Sequence, residues 1–188
     1  MSIILAGDLH FSALRDRIEA VPKGEKVIIE NCLGQRFIAS GRSGVNIEIH
    51  GTPGNDLGSY LDGGVIEVFG NAQDATADTM NDGEIIIHGS SGDATGYAMR
   101  GGRILIEGNV GYRAGIHMKA YKNKIPVMVV GGRGGNFLAE YQAGGKIIVL
   151  GLHTDGKPIV GAFCGTGQHG GAVYLRGECP GDLPKQII

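Results

Sequence analysis

Four short segments of this chain end on glycines nineteen residues apart. They are Ile47-Glu48-Ile49-His50-Gly51, Ile66-Glu67-Val68-Phe69-Gly70, Ile85-Ile86-Ile87-His88-Gly89 and Ile104-Leu105-Ile106-Glu107-Gly108. Two further columns keep the same step: Leu61, Met80, Met99, Met118, and the small residues Gly58, Ala77, Gly96, Gly115. The pattern continues, with insertions, through Val127–Gly131, Ile147–Gly151 and Val173–Gly177. A repeat of this kind constrains the architecture more than any single motif, because each unit must bury its apolar face against the next.

Nineteen residues is too short for a helical-hairpin repeat, which needs about 33, and the asparagine–leucine skeleton of a leucine-rich repeat is missing. Each unit holds one strand of about five residues, then a Gly/Asp/Asn corner, a small-residue stretch and a second corner. The expectation is an all-β, single-stranded parallel β-helix, a solenoid of ~19-residue turns spaced about 4.8 Å apart. Alternation then turns Ile47 and Ile49, Ile66 and Val68, Ile85 and Ile87, and Ile104 and Ile106 inward together, with Leu61, Met80, Met99 and Met118 as a second internal ladder. The 35 glycines are read as corner residues, with Asp and Asn bonding nearby amides. Phe11, Leu14, Ile18 and Val21 recur at helical spacing with Ser12 as the candidate N-cap, so residues 8–22 are expected to form a helix covering the first turn. The expected division is 1–24 helical cap, 25–179 parallel β-helix and 180–188 tail, with Pro180 and Pro184 discouraging further pairing.

The residues between the inward ones define an outer column: Glu48, Glu67, Ile86, Leu105, Met128, Ile148, Tyr174. Its neighbour runs His50, Phe69, His88, Glu107, Val130, Leu150, Arg176. Early turns are polar in both columns and later turns apolar. A contiguous apolar patch marks a covered surface. Ile86, Leu105, Met128, Ile148, Tyr174, Val130 and Leu150 are therefore the expected interface, buried either by a partner or by the inserted segment 119–126 or the tail.

No catalytic, cofactor-binding or metal-ligating set is expected. His50 and His88 share a column two turns apart, roughly 9.6 Å, too far for one metal. His117 is expected to face outward, without a partner nearby in sequence. The glycine-rich stretch 161–171 is followed by a strand rather than a helix, which favours corner geometry over phosphate binding; 131–135 reads the same way. Cys164 and His169 have no third orienting group. Asp56, Asp74 and Asp93 recur once per step, too sparsely for a calcium site. Seventeen basic against nineteen acidic residues give a net charge of −2, which argues against nucleic acid and anionic membranes as partners. Cys32, Cys164 and Cys179 are odd in number and far apart, which argues against disulfides and zinc and for a reducing, cytoplasmic setting.

Several stretches together resemble a known family: Gly34-Gln35-Arg36-Phe37-Ile38, Pro53-Gly54-Asn55-Asp56-Leu57-Gly58, Met80-Asn81-Asp82-Gly83, residues 111–119 (GYRAGIHMK) and residues 165–171 (GTGQHGG). The chain is similar to the GXGXG domain of glutamate synthase, most closely to its free-standing, archaeal-type form, and to the related coil-bearing subunit of formylmethanofuran dehydrogenase. The resemblance implies a right-handed β-helix that carries no catalytic residue. It further implies a scaffold role in glutamate biosynthesis, docking an amidotransferase subunit and an FMN- and iron–sulfur-bearing synthase subunit. FMN and the cluster are expected in those partners and not in this chain. Self-association through the apolar stripe is the other occupant weighed for that face. The alternatives are a scaffold in a formylmethanofuran dehydrogenase-like complex, or a groove enzyme acting on carbohydrate, for which Glu48 and Glu67 are too few carboxylates.

Overall fold

The computed structural model describes residues 1–177, 183, 187 and 188. Nine strands and one helix follow in order: β1 (Ser2–Leu5), α1 (Phe11–Glu19), β2 (Val27–Leu33), β3 (Val45–Thr52), β4 (Asp62–Phe69), β5 (Asp82–Ile87), β6 (Arg103–Ile106), β7 (Val127–Val130), β8 (Ala143–Val149) and β9 (Gly170–Leu175). All nine strands lie in one sheet in chain order, and every neighbouring pair is parallel.

This corrects the expected right-handed β-helix. The architecture is one open, nine-stranded parallel sheet, and the further strand faces of a solenoid are not formed as sheets among the described residues. The physical reason lies in the backbone between strands. Asp56 and Tyr60, Ala75, Ala77 and Thr79, and Phe137, Ala139 and Tyr141 all have φ between 52° and 64°. Left-handed residues turn the chain and cannot extend it into a ladder. Pairing there shrinks to isolated bridges such as Ala72↔Ser91 and Ser91↔Val110.

The nineteen-residue step itself holds in the register: Ile47 pairs with Ile66, Ile66 with Ile85 and Ile85 with Ile104. The inward set is buried as alternation requires, with Ile49, Ile66, Val68, Ile85, Ile87 and Ile104 all at 0% exposure. Leu61, Met80, Met99 and Met118 close the core from the turn side, also at 0%. Each such side chain removed from water contributes roughly 1.5–3 kcal/mol to the driving force for the fold. The small-residue column explains itself here. A Cβ on Gly115 would meet the Ile147 side chain, and its φ of 70° is left-handed.

The turns are joined by side chains that reach one step ahead. Asp74 Oδ1 accepts from the Asp93 amide at 2.8 Å, and Asp93 Oδ1 accepts from the Tyr112 amide at 2.8 Å. In a parallel row, Asn71 Oδ1 accepts from Ser90, Ser90 Oγ from Asn109, and Asn109 Oδ1 from Arg133. Asp74 and Asp93 thus cap the next step, while Asp82 accepts from the adjacent Gly83 amide as the sequence suggests. Gly111 is glycine because a Cβ there would sit on the Asp93 carboxylate.

Ser2–Leu5 adds a strand that the repeat does not signal, with Ser2 paired to Val27 instead of a residue nineteen on. The helix occupies 11–19 within the expected 8–22, burying Leu14 and Ile18 in the core. Its N-cap is His10 and not Ser12: the His10 side chain accepts from the Ser12 amide. At the far edge Ile187 bridges Val173, and Ile188 exchanges hydrogen bonds with Val173 and Leu175. Pro180, Pro184 and Cys179 lie outside the described residues, as does most of the expected 180–188 tail.

Candidate interface on the outer face of the sheet

The outward row of the sheet runs Glu48, Glu67, Ile86, Leu105, Val129, Ile148, Tyr174, each paired with the next. From Ile86 to Tyr174 the row is apolar for five strands. Ile86, Leu105, Val129 and Ile148 are half-buried by their neighbours and Tyr174 is exposed. Leu150 lies beside the row just past β8, half-buried, its amide donating to Val130 O at 2.8 Å.

Two of the expected interface residues are corrected. Met128 and Val130 are fully buried, with Met128 paired to Ile104 and Val130 to Ile106 and Val149. The residue that takes the outward place is Val129. Arg103 pairs with Val127, so the step across the insertion is 24 residues and not the 23 that glycine matching implies. A shift of one residue exchanges the two faces of a strand. Val127-Met128-Val129-Val130 contains no polar residue to phase it.

The inserted segment 119–126 runs elsewhere. Lys124 Nζ pairs with Asp82 at 3.0 Å and Asp62 at 3.4 Å, and donates to Asn81 O, all at the strand starts of β4 and β5. The Lys124 hydrogen bond, followed by that from the Gly83 amide, holds the Asp82 carboxyl below its usual range.

The early half of the same face is built differently. Lys26 Nζ meets Glu48 Oε2 at 2.5 Å and His50 Nε2 meets Glu48 Oε1 at 2.7 Å. The Lys26 hydrogen bond first, and that of His50 second, lower the Glu48 pKa. Phe69 stacks between His50 and His88 with ring centroids 4.9 and 4.7 Å apart, and His88 Nε2 lies 2.9 Å from Glu67 Oε1. The phenyl ring between the two imidazoles is what makes this a stack and not a ligand pair.

Among the described residues the remaining histidines and cysteines gather into no group that could hold a metal ion. His117 is exposed, stacked on Tyr141 at 5.4 Å and edge-on to Tyr97 at 5.8 Å. Cys164 is buried, while His169 is exposed and its Nδ1 contacts Gly167 O. Burial pushes the Cys32 thiol up to about 11, so it stays protonated. Among the described residues no three His, Cys, Asp or Glu side chains gather to hold a metal ion. No helix among them is long and apolar enough to cross a membrane.

Missed from sequence is a second aromatic surface on the turn side. Tyr112 meets Phe137 edge-on at 5.4 Å and Phe137 stacks on Phe163 at 4.8 Å, with Arg113 over the first two rings and paired to the buried Glu140 at 2.7 Å. Aligning Phe37 with Phe137 and Phe163 through the corners would reveal it, but a corner read as a glycine position hides it.

The comparisons with known proteins agree with the repeat. The GXGXG motif family profile matches residues 14–186. Uncharacterized protein MJ1350 of Methanocaldococcus jannaschii is 50% identical over 189 aligned positions, covering 96% of this chain and 72% of that protein. With nearly the whole chain matched and half of the aligned positions identical, the chain belongs to the GXGXG motif family.

Proposed function

We propose that this chain is a non-catalytic scaffold in a glutamate synthase-type assembly. Its outer sheet face docks an ammonia-producing amidotransferase polypeptide or an FMN- and iron–sulfur-bearing synthase polypeptide, which supply the chemistry and the cofactors. The observation that carries the reading is the row Ile86, Leu105, Val129, Ile148, Tyr174, a five-strand apolar surface, with Lys124 of the insertion anchored away from it on Asp82. Membership of the GXGXG motif family supports the choice of assembly. Parallel sheets are normally covered on both faces, and an apolar row of this length falls in the class of surface that marks a contact site.

The test is co-expression with amidotransferase and flavin-binding synthase polypeptides from the same cell, with flavin and iron measured on the purified complex. The reading expects a stable complex with at least one of them, and loss of that complex in Leu105→Asp with the fold retained. A strictly monomeric chain that binds neither would overturn it, and unfolding of Leu105→Asp would show that the chain itself buries the face.

A further inference from the structure

A cavity of about 250 Å³ lies between α1 and the turn that follows β2, far from the apolar row in sequence and on a different face. Its floor is apolar, formed by Ile18, Ile38 and Ala39. Two phenyl rings wall it: Phe11 on the helix and Phe37 on the turn, with centroids 5.5 Å apart and planes at 67°. Around the rim stand Arg15, Arg36 and Arg42 against a single lining carboxylate, Glu19.

The three arginines are not equally engaged. Arg42 pairs with Glu19 at 3.1 Å, and Arg15 with Asp16 at 3.0 Å. Arg36 has no ion pair or hydrogen bond among the described residues; its guanidinium carbon lies 5.6 Å from the centroid of each phenyl ring. Asp56, one step on, feels the Arg36 charge but does not reach pairing distance. A guanidinium held over aromatic faces keeps its in-plane N–H donors free, in the fork that fits a carboxylate or phosphate.

The site is also preset. Gln35, only 6% exposed, donates from Nε2 to Gly7 O at 2.8 Å and to Leu9 O at 3.1 Å, while its Oε1 accepts from the Leu33 amide at 2.7 Å. One buried amide thus ties the approach to α1 to the turn that carries Arg36 and Phe37. Phe37 itself has φ 60°, a left-handed conformation that is costly for a bulky residue, yet its ring is 40% exposed. The same corner conformation recurs at Asp56, Ala75, Ala94, Arg113, Phe137 and Phe163; at this step the corner carries a ring that meets Phe11 and the Arg36 guanidinium.

We propose that this cavity binds a small organic anion: a flat apolar body lying over Ile18, Ile38 and Ala39 against the wall formed by Phe11 and Phe37, with its carboxylate or phosphate on Arg36. The volume is below the ~300–1,000 Å³ of pockets for drug-sized ligands, which restricts the ligand to a single ring or a short branched chain. The proposal is independent of the scaffold role, since no residue of the outward row takes part.

The experiment titrates the full chain with phenyl phosphate and with benzoate, followed by calorimetry or NMR, beside inorganic phosphate and benzyl alcohol. Both aromatic anions bind saturably, and each half-ligand binds at least about tenfold more weakly. Arg36→Met, which keeps the stem on the rings, and Phe37→Asn, which tolerates the left-handed backbone, each weaken the aromatic anions by about tenfold or more. Lys146→Met, which removes a distant charge on β8, leaves binding unchanged. Thermal melting checks that both variants fold, and where one does not, the other decides. Absence of saturable binding, equal binding of benzyl alcohol, or full binding in a folded Arg36→Met would each overturn the proposal.

Discussion

One sheet face carries two surfaces of opposite character. Over β2 to β4 it is a polar lattice in which Lys26, Glu48, His50, Glu67 and His88 are paired with one another around Phe69. Over β5 to β9 the same row is aliphatic and ends on an exposed tyrosine. The parallel pairing and the inward packing are alike in both halves, so the difference is not demanded by the fold. The early half satisfies its own side chains and is suited to water. The late half leaves apolar area that only another surface can cover.

The sharpest way to break this comparison uses adjacent residues on β7. Met128→Asp puts a carboxylate into the core at a fully buried site and is expected to cost about 3–5 kcal/mol, read as a lower denaturant midpoint or outright unfolding. Val129→Asp, one residue on but outward, is expected to change stability by less than about 1 kcal/mol while weakening the proposed docking by about tenfold or more. A larger loss of stability in Val129→Asp than in Met128→Asp would return β7 to the register that the glycine spacing suggests. In the early half, Phe69→Ala opens the histidine stack and is expected to cost about 1 kcal/mol in thermal unfolding, with docking unaffected.

The smallest effect is electrostatic. Lys26 and His50 depress the folded-state pKa of Glu48 from 4.5. Its contribution to stability is therefore complete above that unfolded value and is lost as pH falls through the lower folded one. In Glu48→Gln the melting midpoint should fall less steeply with acid below about pH 4.5 than in the parent chain. An unchanged slope would show that the early lattice is ornamental.

How much of this was legible in the chain depends on what phases each segment. Gly51, Gly70, Gly89 and Gly108 together with the Leu61–Met118 column fixed the step, and every inward residue named from them on β3 to β6 is buried. The aliphatic run of β7 has no polar residue to anchor its alternation, so one miscounted residue in the insertion reverses its faces. β1 escapes because its pairing lies outside the nineteen-residue step. The number of sheets is not legible because bulky residues such as Phe37, Tyr60 and Phe137 occupy left-handed backbone, where sequence reasoning looks for glycine. The Arg36 cavity is invisible for the same reason: it needs Phe37 turned outward by an unusual φ.

The side-chain oxygens that cap the amide one step ahead make nineteen residues the natural quantum for editing this chain. Removing residues 75–93 would bring Asp74 to the amide of Tyr112 and Asn71 to that of Asn109, the positions their deleted counterparts served. A shortened molecule cut at that interval should close seamlessly, whereas a cut of eighteen would strand each oxygen beside the wrong neighbour. Length is therefore a property that duplication and loss can adjust in whole units without redesigning the interior.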